Sequence, residues 1–296
     1  IRVDGTPYRF LGGPVGDEAT AHQIDLEVTP TRSIYTFTCG KVFLTVTFTS
    51  PLLLDDLDLL SRPASYITFE VTSIDGTAHE INIAFDIAGE WAVDRPWQDL
   101  TWRRVDHPML KVASIGSVAQ PVLRKRGDDV RIDWGTLYLA APPHAEVTIG
   151  RAPACRELFQ ATGELPSADW AVRSHPANLW GGPVLMTRFA LSDAGPERRA
   201  ATVIVAYDDE YAIEYFHRPL RAWWRRNAPE GEAAALAMLT AAVGEHESIV
   251  ARCRAFDGEL TGWAERVGGA DYARLLALVY RQAIAAHKLV CLLYTS

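Results

Sequence analysis

The densest group of side chains able to do chemistry lies between Glu90 and Arg104, in the run EWAVDRPWQDLTWRR. Trp91, Trp97 and Trp102 stand there beside Glu90, Asp94, Asp99 and Arg103. Indole faces cover the apolar face of a sugar ring or of another polar small molecule, while carboxylates accept its hydroxyl or amide protons. Trp91, Asp94, Trp97 and Trp102 are therefore candidate substrate-binding residues. The same tryptophans would equally serve to pack a loop against a larger body. A second candidate pair, Arg281 and Lys288, falls two helical turns apart near the end of the chain. Such a pair either holds a substrate carboxylate or forms an outer, solvated stripe.

Other polar groups read as structural. Asp55, Asp56 and Asp58, in PLLLDDLDLLSRP, lack the six or so converging oxygens that calcium requires, and the leucines between them predict a capped, half-buried turn. His79, His107, His144 and His175 are isolated, without ligand spacing. There is no glycine-rich phosphate loop, no His-Glu-x-x-His, no Gly-x-Ser-x-Gly and no paired-cysteine site, so neither metal nor cofactor is expected. Cys39, Cys155, Cys253 and Cys291 are far apart, and Cys253, on the apolar side of a helical pattern, is expected as a free buried thiol.

Two kinds of element must position these residues. From Ile1 to about Tyr215 the hydrophobic period is two. Val-Asp-Gly-Thr within Ile1–Phe10 predicts a tight hairpin. Lys41–Thr49 (KVFLTVTFT) puts Val42, Leu44, Val46 and Phe48 on one face, and Ser65–Ser73 and Glu80–Ile87 repeat the alternation around Asp75-Gly76, a second hairpin candidate. Further strands are read at 34–38, 109–115, 130–139, 145–149, 184–191 and 202–207, with a short helix at 155–162 and a loop at 166–183. Some dozen strands with turn signals between them predict a large antiparallel β-sandwich.

Near Pro219 the period becomes 3.6. Glu232–Val267 carries an apolar stripe that Gly244 and Gly258 are expected to break, and Gly268-Gly269 separates it from a segment capped by Asp271. Within 271–290, Tyr272, Leu275, Leu276, Val279, Ala283, Ile284 and His287 form an apolar side that expects a partner layer. No partner follows in the sequence. The last six residues, CLLYTS, carry no stop signal and are expected to be adapter read-through, with the natural protein continuing beyond Val290 and taking most of the chemistry with it.

Composition narrows the partners. Charged residues make up 22% and hydrophobic residues 48% of the 296, an ordinary globular balance. A net charge of −8 argues against nucleic acid, whose binding needs clustered Lys and Arg, and the spots at 124–126 and 221–226 are too short to change that. No run approaches the ~20 apolar residues that span a bilayer, so no membrane partner is expected. The chain starts with Ile, and the lack of a signal peptide says nothing about compartment.

Several strings match a known family: RVDGTPYRFLG, VTPTRSIYTF, LTVTFTSPLLLDDLDLLSRPASYITFEV, DWGTLYLA and DYARLLALVYRQAIAAHKLV. Over essentially all of Ile1 to Val290 the chain resembles the fungal and bacterial glutaminase A family, whose members look like a β-sandwich followed by a six-hairpin α/α toroid. The resemblance implies a mainly β fold: a sandwich at 1–225, a helical linker at 226–268, and at 269–290 the first helix of a truncated α/α toroid, with 291–296 as read-through. It implies a secreted or periplasmic hydrolase converting glutamine to glutamate and ammonia, a small-molecule substrate, a missing C-terminal domain of the same chain as partner, and catalytic residues beyond Val290. On this reading the fragment itself is inactive. The same architecture resembles several glycoside hydrolases, which keeps a carbohydrate substrate open, and a sandwich acting as a non-catalytic binding module is the third reading.

Overall fold

The computed structural model describes residues 1–14, 16–127, 131–178, 181–191 and 198–291. The chain opens with β1 (Arg2–Val3) and β2 (Thr6–Arg9), joined by a turn in which Asp4 and Gly5 have φ of 49° and 82°. Positive φ at both central positions matches the twist of the flanking strands, and this is the hairpin that Val-Asp-Gly-Thr predicts. Then come β3 (Ala19–Thr20), β4 (His22–Val28), β5 (Arg32–Cys39) and β6 (Val42–Thr49), the short helix α1 (Leu57–Ser61), β7 (Ala64–Ser73) and β8 (Ile81–Ala88). After a 3-10 turn at Gly89–Ala92 follow β9 (Asp99–Val105), β10 (Lys111–Ser117), β11 (Thr136–Ala141), β12 (Glu146–Arg151) and α2 (Ala152–Thr162). The strands end with β13 (His175–Pro176), β14 (Pro183–Ala190), β15 (Arg199–Asp208), β16 (Ile213–Tyr215) and β17 (Arg218–Leu220), before α3 (Glu232–Gly244) and α4 (His246–Ala285).

Among the described residues two large sheets face each other. One has nine strands in the order β13-β9-β10-β11-β15-β7-β6-β5-β4, the other six in the order β12-β14-β8-β1-β2-β3. All pairings are antiparallel except β2 with β3. Between the sheets lies a core of buried side chains that includes Phe37, Leu44, Phe69, Ile83, Leu139 and Phe189. The fold is thus mainly β with large antiparallel sheets, as the alternation predicts.

One predicted hairpin is absent. β7 pairs with β6 and β15, whereas β8 pairs with β14 and β1, so the segment around Asp75-Gly76 carries the chain from one sheet to the other. The turn is closed by its own hydrogen bonds: Thr77 N–H and Oγ1 donate to Asp75 Oδ1 at 3.0 and 2.7 Å. His79 then lies between Asp75 and Asp4, which ties this crossing to the first hairpin. The predicted strand at 130–139 begins later, at Thr136, and its first residue lies outside the described set.

The helices cover the outer face of the nine-stranded sheet. Tyr66, Val112, Ala140 and Ile204 form a second core with Ala235, Leu239, Ile249 and Cys253. β10 and β11 are therefore buried on both faces, and their runs KVASIGS and TLYLAA show little alternation because neither face meets water. The helical run breaks at Glu245 and kinks at Gly269, where φ is 78° and ψ −179°; Gly258 lies inside α4 without interrupting it. Asp271 follows the kink and pairs with Arg274.

Asp257 anchors α4. Its buried carboxylate accepts from Thr29 Oγ1 (2.6 Å), Thr31 N–H and Oγ1 (both 2.9 Å) and Arg32 Nε (2.8 Å). The Thr-Pro-Thr-Arg string is thus the socket for one helical carboxylate. Further along, Tyr280 Oη donates to Leu52 O at 2.5 Å, and Ala273 and Ala277 are buried beside it. The docked stripe runs through Ala273, Ala277 and Tyr280, while the apolar side read from the sequence stays largely uncovered. Small alanines let the helix approach closely enough for Tyr280 to reach a carbonyl, which turns Leu275, Leu278 and Val279 (57%, 49% and 47% exposed) to solvent. Past the helix, Trp223 N–H donates to Leu289 O and Cys291 N–H to Arg221 O. The remainder of the presumed read-through, 292–296, lies outside the described residues.

Candidate functional site

The three tryptophans do not converge. Trp91, in the 3-10 turn, and Trp97 are 65% and 71% exposed. Trp102, on β9, is half-buried and stacks on Trp170 with centroids 5.2 Å apart and planes at 20°, its Nε1 donating to Trp170 O at 3.3 Å. Asp94 is buried, accepting from Lys125 Nζ at 2.6 Å and Arg131 N–H at 3.2 Å. Lys125 holds the Asp94 carboxyl below the usual carboxylate range and also reaches Asp133 at 2.6 Å, so Asp94 braces a loop.

The two cations separate as well. α4 ends at Ala285, so Lys288 lies beyond the helix, with Nζ 3.0 Å from Asp209 Oδ2. Arg281 turns to the sandwich instead and donates to Ser33 Oγ at 2.8 Å. The shared helical face expected of this pair is lost because the last turn unwinds before Lys288. Asp56 caps α1, accepting from Leu59 N–H at 3.0 Å, and pairs with Arg252; Asp58 pairs with Arg226. The acidic run is the capped turn its leucines predict, and it clasps the helical region.

Two hollows remain as candidates. The first, about 370 Å³, lies on the outer face of the nine-stranded sheet near the start of α3. Its wall is a rung of facing residues, Arg103, Ser114 and Tyr138, from β9, β10 and β11. Gly116 leaves the floor low, since a Cβ there would stand 2.7 Å from Gly135 O. Gly135 itself has φ 89° and presses on Asp208 O, so a side chain fits neither the backbone nor the space. The Asp-Trp-Gly string builds this corner: Trp134 Nε1 donates to Asp209 O at 3.0 Å and Tyr207 Oη to Trp134 O at 2.6 Å.

Chemically this hollow is lined largely by polar and charged side chains. Arg225, 2% exposed, donates through Nε to Asp208 Oδ1 at 2.8 Å and pairs through Nη2 with Oδ2, while its buried Nη1 has no partner among the described residues. A free guanidinium donor suits a carboxylate or carbonyl oxygen. The Arg103–Glu232 ion pair stands at the same hollow, Trp102 borders it, and burial pushes the Tyr138 hydroxyl up to about 12, which keeps it protonated and able to donate. Its described lining holds no histidine or cysteine; Ser114 and Ser117 stand there with the carboxylates Asp208, Asp209, Glu210 and Glu232. Of its polar groups only Arg103 belongs to the run singled out in the sequence; Tyr138, Arg225 and Glu232 were not legible as a site, and Asp133-Trp134-Gly135 was the available signal.

The second hollow is larger, about 880 Å³, and opens between the sheets. Tyr35, Phe48, Ile67 and Val205 line it from the inner face of the large sheet, with Trp91 and Arg281 also in its wall. Trp91 and Trp102 thus border different hollows.

Residues 31–263 match the family model described as "Domain of unknown function (DUF5127)". Glutaminase A of Aspergillus oryzae (strain ATCC 42149 / RIB 40) is 27% identical over 302 aligned residues, covering 98% of this chain and 42% of that protein. The chain therefore spans less than half the length of this relative. Among solved structures, "Putative kojibiose phosphorylase from human microbiome" aligns at 9% identity and a TM-score of 0.38, over 77% of this chain and 23% of that one. Heparan sulfate lyase HepC from Pedobacter heparinus aligns at 8% identity and a TM-score of 0.31, over 64% and 22%.

Proposed function

Because the chain belongs to the DUF5127 family, and because a glutaminase A aligns with 98% of its length, we propose that it is the substrate-facing, non-catalytic portion of a glutaminase A-like hydrolase. The alignment with glutaminase A supports this reading, in which the whole protein hydrolyses glutamine to glutamate and ammonia. The reacting groups are assigned to the part of such a protein that these residues do not cover, in keeping with a pocket whose described lining has no Ser–His or Cys–His pair. The polar pocket is given the role of holding a small polar molecule, with Arg225 Nη1 offered to a carboxylate or amide oxygen. A secreted or periplasmic location goes with the same reading and is checked by fractionation of the producing cells.

A carbohydrate substrate is the second reading, favoured by the exposed indoles of Trp91 and Trp97. Protein of the relative's full length, incubated in parallel with glutamine and with a glycan panel, separates the two. Ammonia without new reducing ends supports the first; reducing ends without ammonia sink it.

A further inference from the structure

Charge in the smaller, polar hollow does not balance. Its described lining carries two arginines, Arg103 and Arg225, against four carboxylates, Asp208, Asp209, Glu210 and Glu232. Three of these carboxylates have cations of their own: Asp208 takes Arg225, Glu232 takes Arg103, and Asp209 takes Lys288, with Nζ at 3.0 Å. Glu210 is left over. It is half-buried, and its side chain makes no hydrogen bond or ion pair among the described residues.

The backbone that carries Glu210 is strained and clamped. Its φ is 56°, in the left-handed region that residues with a Cβ rarely adopt. Trp134 Nε1 donates to the carbonyls on either side, Asp209 O at 3.0 Å and Tyr211 O at 3.1 Å, while the Glu210 N–H donates to Asp208 Oδ1 at 3.1 Å. Gly135 presses on the same turn, where a Cβ would stand 2.9 Å from Asp209 Cα. The indole thus fixes the point from which the Glu210 carboxylate borders the hollow. Attraction between that carboxylate and a cation strengthens as the surrounding walls exclude water.

A second group in the hollow also calls for a ligand. Arg225, 2% exposed, lines it and keeps Nη1 without a partner among the described residues. A buried donor without an acceptor is costly, and an oxygen of a bound molecule satisfies it. A molecule with an ammonium near an oxygen answers both groups, whereas a neutral molecule leaves Glu210 uncompensated. We propose that Glu210 is the counter-ion of an ammonium on the ligand of this hollow, and so selects amine-bearing small molecules over their neutral counterparts. The inference rests on the reading of this hollow as the substrate-holding pocket and is independent of the reaction the whole protein performs.

NMR titration of the 296-residue chain tests it with two pairs of probes, glutamine against N-acetylglutamine and glucosamine against glucose. The first member of each pair carries an ammonium and the second does not. In at least one pair the ammonium member is expected to bind about 10-fold more tightly, shifting the amides of Gly116, Gly135 and Gly231, which line the hollow. Glu210→Gln, which keeps the shape and removes the charge, is expected to erase that preference while leaving Tm and the affinity for the neutral member unchanged; Glu210→Asp is expected to retain part of it. Equal affinity within both pairs overturns the proposal, as do a preference that survives in Glu210→Gln, shifts confined to other regions, and no binding by any of the four probes. A preference for glucosamine over glucose without glutamine binding upholds it and counts against glutamine as the substrate. Equal affinity within both pairs, beside ammonia release by protein of the relative's full length, overturns it and leaves the glutamine reading in place.

Discussion

His79 shows how one residue couples distant turns. Its Nδ1 lies 2.7 Å from Asp4 Oδ2 and its Nε2 3.0 Å from Asp75 Oδ1, so the imidazole bridges the first hairpin and the crossing between sheets. Hydrogen bonds to Asp4 and Asp75 raise the His79 pKa above 6.5, and the bond from His79 holds Asp4 below the usual carboxylate range. A raised folded-state pKa adds stability that is complete below the unfolded value and disappears as pH climbs through the folded one. Thermal stability of the native chain is therefore expected to fall from pH 6.5 upward, and His79→Gln to flatten that slope. An identical pH dependence in the variant would show that the bridge contributes nothing. Isolation of His79 in sequence hid this role, because its partners lie 75 positions away at Asp4 and 4 away at Asp75.

At the scale of elements, α4 is held by a polar anchor as well as by the apolar packing of Ile249 and Cys253. Asp257 collects two threonines and an arginine from the β4–β5 connection. Removing it leaves Arg32 beside buried hydroxyls, and Asp257→Ala is expected to cost about 3 kcal/mol in urea unfolding; a loss under about 0.5 kcal/mol would mean the socket is idle. Strands such as β6, with one face on the core, were legible from their alternation. β10 and β11 blurred because the helices bury their second face, and β9 was hidden within the tryptophan-rich run. The docked side of α4 went unread because periodicity counts large apolar residues, whereas contact here selects Ala273 and Ala277. Beyond the Gly269 kink the helix touches the body on one side only, so amides at 270–285 are expected to exchange faster than those of β6 and β7. Equal protection there, in a monomer, would contradict that picture.

Across the whole molecule, two facing sheets and a helical cover present a polar pocket built from β9, β10, β11 and the residues leading into α3. Its polar groups come from positions that sit far apart in sequence, from Arg103 to Glu232, so that only the Asp133-Trp134-Gly135 corner is a local signal. Trp102 joins it, whereas Trp91 and Trp97 stand elsewhere on the surface. The proposed substrate-facing role rests on these polar groups and on the alignment with glutaminase A. The most direct measurement is ammonia release when the purified 296-residue chain is incubated with glutamine, beside a protein of the relative's full length. The account requires release from the longer protein alone; ammonia formed by the 296-residue chain would place the reacting groups among these strands and helices and contradict it.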